Sequence, residues 1–286
     1  ASIAQDKGEV IINLTIDAGN VDDQHIISWE IPTSVNAQIS ANQLNVHLDP
    51  QNFNLADEDK GLLTISVSVT DNGTGELSHT EMINIPVFEQ HGVLDESDTD
   101  LDGIADNAEG FEDRDGDGIP AFMDNSTIPH LQQLHVNASA TKLIETEPGL
   151  KISLGKYAKQ QFSDGVQLSA NEIENTGLIA SDTLTHLSDY FDFEVSQILP
   201  YGRSIAIVIP LAEAMPEFGV YRKFSKSNGW QDFVENANNS LWSSESIDGV
   251  CPRADSDNFQ AGLNQGHTCL RPVSYTHLTL PTNREV

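Results

Sequence analysis

The stretch DTDLDGIADNAEGFEDRDGDGIPAFMD, Asp98–Asp124, limits this chain more tightly than any other. Carboxylates at such density repel one another, and blocks of like charge ordinarily stay solvated and unstructured. The register of this run argues for order instead. Asp98, Asp100 and Asp102 alternate, Gly103 follows, and Glu109 closes the set. Fifteen residues later Asp113, Asp115 and Asp117 alternate, Gly118 follows, and Asp124 closes. Both units read D-x-D-x-D-G-x-x-x-x-x-[DE], with isoleucine after each glycine (Ile104, Ile119). An acidic tail under no structural constraint has no reason to repeat its register or to place glycine twice at the same step.

Calcium is the chemistry that needs this spacing. It is a hard cation that takes six to eight oxygen ligands at flexible angles. In a loop of oxygen ligands, positions 1, 3 and 5 supply carboxylates and position 6 turns sharply, which suits glycine. Position 7 offers a backbone carbonyl and position 12 returns a carboxylate. The first loop is then Asp98, Asp100, Asp102, the carbonyl of Ile104, and Glu109, with Asp106 at position 9 able to bind directly. The second is Asp113, Asp115, Asp117, the carbonyl of Ile119, and Asp124, with Ala121 at position 9 leaving room for water. Magnesium suits the set less well, because it keeps its waters and takes fewer protein ligands.

The chain has 286 residues, enough for about two domains. Its 14 basic residues against 44 acidic ones give a formal net charge of −30. Such a surface excludes nucleic acid as a partner and argues against docking to anionic membranes. Residues 94–125 hold twelve acids and one base, Arg114, and so concentrate −11 of that charge. No apolar run approaches a membrane span. The sequence also shows no signal peptide, as expected of a fragment that begins in mid-protein.

Residues 1–90 alternate as half-buried strands do. GEVIINLTID, HIISWEI, QLNVHL, LLTISVSVT and EMINIPVF supply the runs, and DNGTG (Asp71–Gly75) supplies a turn. Short strands separated by turn signals predict a β-sandwich of about immunoglobulin size. The order of Trp29, TISVSVTDNG and a closing strand resembles polycystic-kidney-disease-type or cadherin-like bacterial repeats. Cadherin-type ligands are not evident, and Asp22, Asp23 and Asp71 read as turn formers. Residues 91–128, ending in DGDGIPAFMDN, resemble thrombospondin type 3 repeats. That resemblance implies backbone wrapped around ions, almost no apolar core, and a linker without regular secondary structure. Dockerins also use two such loops, but with a helix after each and wider spacing. Residues 129–272 read as a second β-rich domain, with GLKISLG, QFSDGVQLS, DYFDFEVSQI, SIAIVIPL and GVYRKFS as its strands. VYRKFSKSNGWQDF followed by DGVCP and a second cysteine resembles the choice-of-anchor U domain of Gram-negative secreted proteins. Residues 273–286 begin with VSYTHLTLPT, which resembles translated sequencing-adapter DNA and is expected to stand apart from the fold as disordered chain.

Cys251 and Cys269 are the two cysteines. They form either a disulfide, which fits an exported protein, or two buried thiols; no His–Cys spacing supports zinc. No nucleophile, zinc-protease or phosphate-loop motif is present. His130 and His135 stand five apart, which suits neither a helical face nor a strand face. Trp29, Trp230 and Trp242 are expected in cores rather than on a sugar-stacking platform. The resulting expectation is an all-β chain: two β-sandwich-like domains joined by a calcium-stiffened acidic linker. It would be a non-catalytic structural or adhesion piece of a protein exported to the bacterial cell surface. Calcium ions are the expected partner, with surface glycans or other surface proteins as candidate ligands of the β-domains. The alternatives are an accessory region of a secreted hydrolase and a carbohydrate-binding domain.

Overall fold

A computed structural model describes residues 2–16, 25–56, 61–71, 78–136, 142–175, 182, 184, 186–200, 202–225 and 228–275. It divides into two compact units, Ala1–Val93 and Leu94–Val286. Both are built from strands.

The first unit contains β1 (Ile3–Ala4), β2 (Val10–Asn13), β3 (His25–Glu30), β4 (Asn36–Ile39), β5 (Asn45–Asp49), β6 (Leu62–Asp71) and β7 (Ser78–Phe88). One sheet has the order β1-β7-β6-β3 and the other β2-β5-β4. Alternation decides which side chains go inside. Val46 and Leu48 of one sheet meet Leu63, Ile65, Ile85 and Val87 of the other in a single apolar cluster. The layout is sandwich-like, as the alternation of residues 1–90 predicts. Trp29 packs against that cluster and donates its indole N–H to the Gln43 carbonyl at 2.9 Å. Asp22, Asp23 and the turn at 72–75 lie outside the described residues.

The second unit starts with the acidic segment. That segment carries one short helix, α1 (Asp106–Glu109), and a 3-10 turn at Ala121–Met123, so it is not wholly irregular. There follow β8 (Leu131–Gln133), β9 (Leu143–Thr146), β10 (Lys151–Leu154), α2 (Lys156–Gln160), β11 (Gln167–Leu168), α3 (Ala170–Asn175), β12 (Tyr190–Phe191) and β13 (Phe193–Ser196). The chain continues through β14 (Ser204–Pro210), β15 (Arg222–Ser225), β16 (Gly229–Asp232), β17 (Ser240–Ser244), β18 (Gln260–Ala261) and β19 (Cys269–Tyr275). Six strands form an antiparallel sheet of order β18-β17-β19-β14-β9-β8. β14 is its spine. Ile205, Ile207 and Ile209 face the main core, while Ala206 and Val208 face a smaller cluster with Phe259 and Cys269. A strand buried on both faces reads as an unbroken apolar run, which is why SIAIVIP lacks alternation. Trp230 packs between Tyr190 and Phe224, and Trp242 lies beneath the Arg271 guanidinium.

Cys251 and Cys269 are joined by a disulfide, with Cα atoms 5.7 Å apart. The structure corrects the expectation for the start of the tail. Val273 to Tyr275 extend β19, pairing with Ala206, Ile205 and Ser204. A strand edge offers backbone donors and acceptors to any extended chain in register, so side-chain pattern alone did not reveal this pairing. Residues 276–286 lie outside the described residues.

Candidate metal centre

Each half of the acidic segment folds on its own carboxylates. In the first loop Asp100 Oδ1 accepts from Asp102 N–H at 3.1 Å, Asp98 Oδ2 from Gly103 N–H at 3.1 Å, and Asp102 Oδ1 from Ile104 N–H at 2.7 Å. The second loop repeats every bond. Asp115 Oδ1 accepts from Asp117 N–H at 3.1 Å, Asp113 Oδ2 from Gly118 N–H at 3.0 Å, and Asp117 Oδ1 from Ile119 N–H at 2.7 Å. The backbone turns match as well. Position 4 has φ of +64° at Leu101 and +78° at Gly116, and position 6 has +96° at Gly103 and +104° at Gly118. Glycine removes the steric penalty of that conformation at position 6 in both loops.

Among the described residues, two clusters have the geometry to hold a metal ion: Asp98, Asp100 and Asp102, and Asp113, Asp115 and Asp117. Within each, one carboxylate oxygen per residue lies within 4.8 Å of the others. The closing acids belong to the same neighbourhoods. Burial first, then the charges of Asp100 and Asp102, push the Glu109 carboxyl up to about 7. Burial, then Asp115, Asp113 and Asp100, push Asp124 up to about 7. Asp117 stands highest, at about 8, through burial and then the charges of Asp124 and Asp115. Burial also raises Asp100 and Asp115. Because Asp124 feels Asp100, the two clusters share one electrostatic environment.

Hydrogen bonding within the loops leaves oxygens over. Asp98 Oδ1, Asp100 Oδ2, Glu109 Oε2, Asp115 Oδ2 and Asp117 Oδ2 are buried without a hydrogen-bond partner. Asp117 is 1% exposed, Asp100 5% and Glu109 6%. Buried ionised oxygens without partners are costly, and native folds protonate them, pair them or coordinate them. The surplus oxygens of a cluster are the atoms a hard cation would use.

Asp106 holds a different place. Its two oxygens accept from Thr99 N–H at 2.8 Å and Thr99 Oγ1 at 2.7 Å, so it clasps the start of the first loop from α1. Ala121, its counterpart, donates its N–H to the Glu112 carbonyl. Phe111 and Phe122 stack edge to face at 5.1 Å and tie the end of one repeat to the end of the other.

The second loop is built into the domain behind it, which the linker expectation did not anticipate. Ile119 is 0% exposed and belongs to the main core. Leu154 N–H donates to the Asp117 carbonyl at 2.7 Å, and Lys151 Nζ to the Asp115 carbonyl at 2.7 Å. Thr99 and Lys151 were not legible as site residues. Thr99 occupies a variable step of the repeat, and Lys151 is 36 residues from Asp115 with no motif of its own. His130 and His135 stand outside both clusters.

No protein-family model matches the chain, and neither does any curated protein.

Proposed function

We propose that residues 98–124 bind two calcium ions, and that the chain is a calcium-dependent structural piece of a protein exported to the bacterial surface. The observation that carries this reading is the pair of same-shaped Asp loops, each holding buried carboxylate oxygens without partners. The donors are all oxygen, as calcium requires. Asp98, Asp100, Asp102, Glu109 and the Ile104 carbonyl would hold the first ion. Asp113, Asp115, Asp117, Asp124 and the Ile119 carbonyl would hold the second. The arrangement fits the resemblance to thrombospondin type 3 repeats. The Cys251–Cys269 disulfide supports an oxidising, extracellular setting. Calcium outside the cell would then order an acidic segment that otherwise repels itself.

Calorimetric titration of the chain tests the reading. Two calcium ions per chain are expected, the weaker with a dissociation constant of about 10⁻⁴–10⁻³ M, and magnesium should compete poorly. Absence of binding heat, together with unchanged proteolysis of residues 94–125, would mean that the run is an acidic structural segment that takes no calcium.

A further inference from the structure

The two loops share one internal geometry but sit in different surroundings. The first is a surface feature. Leu101 is 76% exposed and Ile104 45%. A side chain built on Gly103 would meet nothing within 4 Å. Among the described residues, the loop is held by hydrogen bonds from residues 95–114: Ser97 and Asp95 carbonyls accept from Asp106 and Asn107, and Arg114 donates to the Glu109 carbonyl.

The second loop is part of the wall of the domain. The residue after its glycine, Ile119, is sealed in the main core, where Ile104 is exposed. A Cβ on Gly118 would stand 3.2 Å from Leu154 Cβ and 3.1 Å from Lys159 Cε. Two carbonyls of the loop, those of Asp115 and Asp117, accept from Lys151 and Leu154. β10 therefore rests directly on the backbone that carries the carboxylates, and the Lys159 side chain of α2 lies against Gly118. Asp117 is fully buried there, with Oδ2 unpartnered. Any cation drawing Asp113, Asp115 and Asp117 together fixes the same backbone that receives β10.

We infer that the second loop is a structural calcium site of the C-terminal domain, its occupancy linked to the closure of β10 and α2, while the first loop binds more weakly and without that linkage. The inference rests on the calcium reading above. A site that exists only when the domain is closed binds the closed form alone, so ligand stabilises closure by mass action. The first loop, held by local bonds, has no such leverage. The second also gains affinity, because its ligands are already fixed before the ion arrives.

Hydrogen exchange read by mass spectrometry on the full chain distinguishes the two loops. With free calcium at about a hundred times the dissociation constant, exchange at the amides of Leu154 to Gln161 should slow by up to about 100-fold. Asp100→Asn should keep that protection while losing one ion from the calorimetric count. Asp117→Asn should lose the protection. Without calcium it should remain at least as protected as the parent, because the amide keeps the side chain's shape and the acceptor for Ile119 N–H while carrying no charge at any pH; Asp115→Asn provides the second variant of the same loop. If both loops' variants lose protection equally, or if two ions bind without slowing these amides, the assignment of the second loop is overturned. If no calcium binds at all, the calcium reading fails, and this inference fails with it.

Discussion

Asp117 shows how much the site asks of one side chain. Its N–H and one oxygen close the turn, its carbonyl receives β10, and its other oxygen is buried without a partner. Burial and the carboxylates around it raise its pKa to about 8, against about 4 for an unfolded aspartate. The sign of the linkage follows. Between those values the folded state holds more protons than the unfolded state, so the metal-free fold loses stability as pH rises from about 4 to about 8. Calcium needs the ionised form and must displace the proton. Calcium binding should therefore release protons at pH 6.5–7 and tighten as pH rises towards 8. Titrations in two buffers of different ionisation enthalpy measure that release directly; identical apparent heats would show that Asp117, Asp124 and Glu109 are already ionised before the ion binds.

The elements differ in how plainly the chain announces them. β5 and β6 follow from alternation, and β14 from an unbroken apolar run, because strand period and burial on two faces leave direct marks. The two Asp loops were legible down to the turn at each glycine, since their hydrogen bonds are local and recur at one fixed spacing. What was not legible depends on distant contacts. Nothing at Lys151 points back to Asp115, and nothing in the acidic run separates the exposed Ile104 from the buried Ile119. α3 did leave a signal that the strand pattern hid. In SANE, Ser169 Oγ accepts from Glu172 N–H at 3.3 Å and Glu172 accepts from Ser169 N–H at 2.7 Å, a reciprocal cap. Ser169→Ala should cost about 1 kcal/mol, measurable as a lower urea midpoint; an unchanged midpoint would mean that burial of Ile173 alone holds the helix.

For the whole molecule, the acidic segment and the disulfide sit at opposite ends of the second unit's sequence and brace different parts of it. The disulfide ties Cys251 to β19 beside the smaller core of Ala206, Val208 and Phe259. Replacing both cysteines by serine should remove roughly 3 kcal/mol, a fall of about 10 °C in melting temperature for a domain of this size. Scanning calorimetry of the double variant checks it, and an unchanged melting temperature would show that packing around Cys269 suffices.

The place of β19 has a consequence for how the chain acquires its shape. The last described strand lies between β17 and β14, in the interior of the sheet. A ribosome delivers the chain N-terminus first. The described strands of the first unit all precede Val93 and are in hand early, whereas the second cannot zip its main sheet until residues 269–275 emerge. Until then β14 and β17 present facing open edges, the kind of surface that chaperones shield and that aggregation exploits. Nascent chains stalled before Leu270 should therefore carry a first unit with its described strands paired and a second that is still waiting for its keystone.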